Sequence, residues 1–274
     1  MAAQINEKVM IVKSVLIFDS GVGGLSVFQE ISALMPNQHV IYAFDNAAFP
    51  YGELDDDVLV SRVCGMVSAL CKEHDISLVV IACNTASTIV LPHLRSQLTI
   101  PVVGVVPAIK PAAQLSQTKH IALLATPATV KRTYTQDLVN EFAPDCKVEM
   151  VGSTALVMMG EDKLRGKPTD MAKLDTILEP FQYGVDCVVL GCTHFPLLKD
   201  EIQQMLGEKC RVIDSGLAIA KRVEMLLRQE GSHSLSALSR KHDVFSSAEV
   251  KEEEALNKEM SQMGFSIIKR APTF

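Results

Sequence analysis

Short runs of consecutive apolar residues recur along the chain, each stopped by a polar or small residue, and longer amphipathic stretches fill the intervals. The runs at residues 15–18, 40–44, 78–82 and 101–105 are dominated by aliphatic side chains without polar alternation, the pattern of strands buried on both faces. Between them the spacing predicts helices from the turn at 20–26 toward Met35, over about 56–74, and over 86–97. Strand and helix in alternation build a parallel sheet with right-handed crossovers, so the fold class is α/β.

A second cycle opens at residues 121–126 and closes with strands at 187–190 and 211–214. The repeat is metric as well as textual: 64 residues separate Asp19 from Cys83, and 67 separate Ala125 from Cys192. Similar spacing predicts similar placement, hence two similar parallel-sheet domains related by pseudo-symmetry, with a site in the cleft between them. Pro107 and Pro111 lie in a natural junction at 106–111. Residues 1–105 together with 217–274 then form the first domain, and residues 106–216 the second. The segment after 217 predicts a helix and strands at 242–246 and 265–269; too short to stand alone, it packs back on the first domain. Residues 1–13 read as a polar lead-in, and 251–261 as a solvated helix face.

A length of 274 residues, 48% hydrophobic and 21% charged, with mean hydropathy +0.21, describes a globular chain with a sizeable core. A net charge of -6 and a pI near 5.7 argue against nucleic acid as partner, since phosphate binding needs clustered Lys and Arg. No apolar stretch approaches the roughly 18–20 residues that span a bilayer, which argues against a membrane role. Seven cysteines without framework spacing, behind an N-terminus that lacks a signal pattern, point to a reducing cytoplasm.

The chemistry concentrates where two apolar runs end. Ile81-Ala82-Cys83-Asn84-Thr85 and Leu190-Gly191-Cys192-Thr193-His194 each deliver a thiol at the carboxyl end of a strand, where open α/β sheets bind ligands. Cys64, Cys71, Cys146, Cys187 and Cys210 read instead as packing residues. Cys83 and Cys192 carry hydrogen-bonding neighbours that a plain core does not need. Two thiols so placed can work on opposite faces of one carbon. A thiolate metal site using Cys83, Cys192 and His194 is the rival, but neither cysteine belongs to a C-x-x-C pair, which also counts against a redox thiol; no metal is expected. The turn Asp19-Ser20-Gly21-Val22-Gly23-Gly24 lacks the G-x-G-x-x-G order of a dinucleotide site, though its N–H groups suit a carboxylate. Asp19 fits a helix cap and a catalytic carboxylate equally well on spacing alone.

Together, residues 17–25, Pro50-Tyr51-Gly52-Glu53, Ala82-Cys83-Asn84-Thr85-Ala86-Ser87 and Gly191-Cys192-Thr193-His194-Phe195-Pro196-Leu197-Leu198 resemble the bacterial glutamate racemases of the aspartate/glutamate racemase superfamily. The resemblance runs from about residue 14 to 216. It implies interconversion of L-glutamate and D-glutamate without a cofactor, the D form feeding peptidoglycan synthesis and so cell-wall biogenesis and cell shape. Cys83 and Cys192 would be the two bases, Asp19 assisting Cys83 and His194 with Glu161 assisting Cys192; Asp162 competes with Glu161 for that role. Ser20, Tyr51, Gly52, Asn84, Thr85 and Thr193 would contact substrate, as would Asp19 and His194, with Thr126 and Thr129 adding to them. None of these motifs contains Arg or Lys, so hydroxyls, amides and backbone N–H groups would hold the carboxylates. A helix N-terminus behind a thiol would raise its thiolate fraction. An aspartate-type racemase is the alternative enzyme reading, and inhibition of DNA gyrase by binding, known for a few family members, is the alternative from another class. Activation by UDP-N-acetylmuramoyl-alanine and assembly as a homodimer are left open by the sequence.

Overall fold

The computed structural model describes residues 13–230 and 240–274, so most of the polar lead-in lies outside the described residues. The first cycle runs β1 (Ser14–Asp19), α1 (Leu25–Leu34), β2 (Val40–Phe44), α2 (Asp56–Glu73), β3 (Ile76–Ile81), α3 (Asn84–Gln97) and β4 (Val102–Gly104). The second runs α4 (Ile109–Leu115), β5 (His120–Ala125), α5 (Pro127–Lys131), α6 (Thr133–Phe142), β6 (Lys147–Gly152), α7 (Thr154–Lys163), α8 (Met171–Leu178), β7 (Cys187–Leu190), α9 (Lys199–Leu206) and β8 (Arg211–Ile213). The chain closes with α10 (Gly216–Gln229), β9 (Asp243–Ser246), α11 (Glu253–Gln262) and β10 (Lys269–Arg270).

All strand pairs are parallel, in two sheets ordered β10-β9-β2-β1-β3-β4 and β6-β5-β7-β8. Removing β9 and β10 leaves β2-β1-β3-β4 against β6-β5-β7-β8, the same order twice, as the duplicated spacing predicts. Every residue of β1, β2 and β3 is buried, which accounts for their unbroken apolar runs. Each fully buried Leu, Ile or Val in them stabilises the fold by about 1.5–3 kcal/mol. Strand order reverses between β1 and β3, and again between β5 and β7; those switch points open the crevices into which Asp19, Cys83, Thr126 and Cys192 emerge.

Helix α10 returns to the first sheet, where Ile219, Ala220, Val223 and Leu227 share a core with Val15, Leu25 and Phe28. The 251–261 stretch is largely a solvated helix, anchored by buried Leu256 and Met260. Three local readings change. Helix α3 starts at Asn84 rather than 86, which makes Cys83 its N-cap. The expected strand at 265–269 shrinks to one bridge at Phe265 and the two residues of β10, because the Asn257 side chain takes the Ile268 N–H at 2.9 Å. Strand β6 is an element that the hydrophobic pattern does not predict: an edge strand, half-exposed with charged Lys147 and Glu149, it lacks the continuous apolar run. No helix of the described residues is long and apolar enough to cross a membrane.

Candidate active site

A cavity of about 150 Å³ lies between the two sets of strand ends, lined by Asp19, Ser20, Tyr51, Gly52, Cys83, Asn84, Thr85, Thr126, Cys192, Thr193 and His194 with some neighbours. That size suits a small metabolite rather than a nucleotide. Among the described residues lining it, none is Arg or Lys. The residues singled out in the sequence converge here, except Glu161, which stands behind His194, and Thr129, which reaches the wall through Thr85 and Thr126 at 3.4 and 2.9 Å. Thr85 and Thr126 meet across the two halves at 3.3 Å.

On the first side, Asp19 ends β1 fully buried. Its Oδ1 accepts the Ser20 N–H at 2.6 Å, and its Oδ2 accepts the Thr193 hydroxyl from the other half at 3.0 Å. Gly24, not Asp19, is the N-cap of α1, although the Asp19 carboxylate also receives the Gly24 N–H. Burial pushes the Asp19 carboxyl above its ordinary range, opposed by the charge of His194 and by these donors. Ser20 Oγ lies 3.4 Å from Asp19 Oδ1 and 3.9 Å from Cys83 Sγ, bridging the two. Burial pushes the Cys83 thiol well above its ordinary value, and the Asp19 carboxylate adds to this; the Ala86 N–H and Ser20 pull back only in part. The helix N-terminus acts on Cys83 in the expected direction, through the Ala86 N–H, but does not prevail. Desolvation and a neighbouring anion outweigh the helix donors there.

The second side is built with the opposite charge. His194 Nδ1 is 3.7 Å from Cys192 Sγ, and its Nε2 bonds Glu161 Oε1 at 2.8 Å. Burial opposes a charged imidazole, but the bonds to Cys192 and Glu161 prevail and hold His194 well above its ordinary value. Burial likewise disfavours the Glu161 carboxylate, yet His194, the Val22 N–H and Arg165 bring its pKa down to about 2. Of the two adjacent acids, Glu161 is buried against His194, whereas Asp162 faces outward to Lys167. The Gly-rich turn serves this side: a Cβ at Gly21 would collide with the Glu161 carboxylate and one at Gly23 with the His194 ring, while Val22 N–H donates to Glu161 Oε1 at 2.8 Å.

Two of the expected contact residues present themselves to the cavity in particular ways. The Tyr51 hydroxyl donates to Asp45 at 2.7 Å, and Asp45 is gripped by both Arg62 Nε and Nη2 at 2.7 Å, so Tyr51 offers the cavity its ring. The Asn84 side-chain oxygen is buried with no hydrogen-bond partner among the described residues, an acceptor free to take a donor. Sequence reasoning missed Phe49, whose ring packs 5.8 Å from that of His194, and Arg165, whose i,i+4 spacing from Glu161 was the available signal.

The Asp/Glu/hydantoin racemase family model matches residues 23–223. A glutamate racemase from Vibrio cholerae is 58% identical over 252 residues, 92% of this chain and 94% of that one. One from Aliivibrio fischeri is 56% identical, over 93% and 95%. Among solved structures, Escherichia coli glutamate racemase in complex with L-glutamate and the activator UDP-MurNAc-Ala superposes with TM-score 0.90 at 46% identity, covering 96% of this chain and 99% of that one.

Proposed function

The chain belongs to the Asp/Glu/hydantoin racemase family, and on that premise we propose that it interconverts L-glutamate and D-glutamate with Cys83 and Cys192 as its two bases. The observation that carries the mechanism is the arrival of two thiols, from equivalent strand ends, at one cavity with oppositely charged assistants. For L-glutamate, Cys192 takes the α-proton and the electron pair passes to the α-carbon and its carboxylate. The Cys83 thiol, kept protonated by its surroundings, then supplies a proton on the other face. For D-glutamate the roles reverse, with Asp19 drawing the proton from Cys83 through Ser20. His194, charged and backed by Glu161, steadies an anionic sulfur at Cys192 and the charge that develops on substrate.

Thr85, Thr126, Thr193, Ser20 and backbone N–H groups meet the two carboxylates, with Thr129 orienting the Thr85 and Thr126 hydroxyls from behind; Gly52 keeps the wall open, and Tyr51 closes it with its ring. The orphan oxygen of Asn84 suits the substrate ammonium. We place the domain division at 105/106 and 216/217, supported by the membership of β1–β4 in one sheet and β5–β8 in the other. The product serves peptidoglycan synthesis in the cytoplasm, and UDP-N-acetylmuramoyl-alanine, the activator bound by the Escherichia coli relative, activates the enzyme. Purified protein assayed by circular dichroism on L-glutamate, D-glutamate and aspartate, without added cofactor, tests the reading. Turnover of glutamate and not aspartate is expected; loss of turnover on chelation, or preference for aspartate, overturns it.

A further inference from the structure

Behind Glu161 stands a residue that no motif marks. Arg165, one turn further along, donates through Nη1 to Glu161 Oε2 at 2.7 Å and to the Glu161 carbonyl at 2.6 Å. Its Nε donates to the carbonyl of Lys251 at 3.2 Å, in the segment that leads into α11 on the first sheet's side. An i,i+4 ion pair is usually a solvated pair of little energetic weight. Here both side chains are only about a tenth exposed, at 11% and 10%. The acid is held from three directions, by Arg165, by His194 and by the Val22 N–H of the opposite half. Lys167 adds a more exposed tie across the same seam, to Asp162 at 3.0 Å and Glu252 at 2.9 Å.

We propose that Arg165 is a positioning residue for the Cys192 side of the reaction and the latch that couples it to closure of the two halves: one guanidinium fixes Glu161 behind His194 while reaching the Lys251 backbone. This rests on the assignment of Glu161 and His194 to Cys192. Separation of the halves removes the Lys251 and Val22 contacts together, leaving Glu161 held from its own side alone. The imidazole is therefore fully aligned for proton work only in the closed arrangement. A lysine keeps the charge but not the planar fork, so it cannot serve both partners.

The test compares Arg165→Gln, Arg165→Lys, Glu161→Gln and Lys167→Gln in the full chain, by kcat and KM in both directions and by primary isotope effects with α-deuterated L- and D-glutamate. Arg165→Gln should lower kcat by about tenfold or more with little change in KM, because a misplaced assistant slows chemistry rather than binding. Its isotope effect should rise more from L-glutamate than from D-glutamate, which a general loss of stability would not produce. Arg165→Lys should recover only part of the rate, and Lys167→Gln should stay within about twofold of wild type. Wild-type kcat and isotope effects in Arg165→Gln, with Glu161→Gln impaired, overturn the latch alone; wild-type rates in both also remove Glu161 from the mechanism. If Arg165→Gln does not fold, full activity in Arg165→Lys overturns the proposal.

Discussion

The two halves share a sheet order and keep a cysteine after the third strand of each, but they part company everywhere else around the cavity. Cys83 caps a 14-residue helix and has Asp19 and Ser20 of its own half beside it. Cys192 runs instead into a tight turn through Phe195–Leu198, and beside it stand His194 two residues on and, behind that, Glu161 from α7. At the end of β1 stands a buried acid and a glycine turn; at the end of β5 stand Thr126 and Pro127, with Thr126 capping α5. Duplication therefore preserved where a reactive group emerges while the charge around it diverged. That divergence suits a catalyst whose two faces need one proton donor and one acceptor at the start of each turnover.

The largest expected effect breaks the comparison outright. Cys83→Ala or Cys192→Ala should each lower racemisation by about three orders of magnitude or more, and the double variant should lose little beyond either, since the thiols act as a unit. In deuterium oxide the wild type should place solvent deuterium mainly in the newly formed enantiomer during early turnover. Either single alanine variant racemising at the wild-type rate would make that strand end structural.

Exchanging the assistants sharpens the contrast. Asp19→Asn and His194→Asn should each cost about a hundredfold in kcat. Because the enantiomers are equal in energy, kcat/KM must stay the same in both directions, so the asymmetry has to be read elsewhere. Isotope effects should rise from D-glutamate for Asp19→Asn and from L-glutamate for His194→Asn. Equal changes from both substrates would contradict the separate assignments.

A steric contrast comes next. Gly23→Ala drives a methyl into the His194 ring and should cost up to about a hundredfold by displacing it, with KM far less affected. Gly52→Ala adds a methyl that meets Ala128 and Thr126 only at 3.8 Å, an ordinary contact, and should fall much less. Similar losses at the two glycines would remove the argument that the turn makes room for the His–Glu pair.

The smallest effect concerns stability beneath the first sheet, where His242 accepts the Val40 N–H at 3.2 Å near His39 and Asp243. Burial, followed by the charge of His39, lowers the His242 pKa from 6.5 to about 4. The unfolded chain takes its proton as pH falls through 6.5 while the native ring refuses it until about 4, so stability drains across that window. Thermal melts at pH 7.5 and 5 should show a drop of a few degrees that His242→Asn reduces. An unchanged drop would place the acid-labile group elsewhere.

Much of this was legible in the chain for a plain reason. Fully buried strands such as β1 and β3 must be apolar on both faces, and the residue after such a run falls at the crevice. The exposed edge was not: β6 alternates Lys147 and Glu149 with apolar residues, and Ile267 stands open to solvent while Asn257 diverts the backbone beside it. Cys83, Cys192, Asp19 and His194 announce themselves by lying next to strand ends. Arg165 and the orientation of Tyr51 do not: beyond its i,i+4 spacing to Glu161, Arg165 is set by Lys251, distant in sequence, and the Tyr51 hydroxyl is turned by an Asp45–Arg62 pair that no spacing rule marks. The balance at Cys83 was not legible either, since proximity of helix donors is a local signal, whereas burial is a property of the whole fold.

With Arg and Lys absent from the described lining of the cavity, the proposed recognition of the two carboxylates rests chiefly on dipoles. A dipole's attraction falls off more steeply with distance than a charge's, so hydroxyls and amides act as a ruler for the spacing between two carboxylates. An acid one methylene shorter cannot satisfy both ends at once, and the groups it leaves unpaired count against it. Fixed dipoles in a closed pocket are also poorly screened by dissolved ions, so added salt should hardly weaken the grip on substrate.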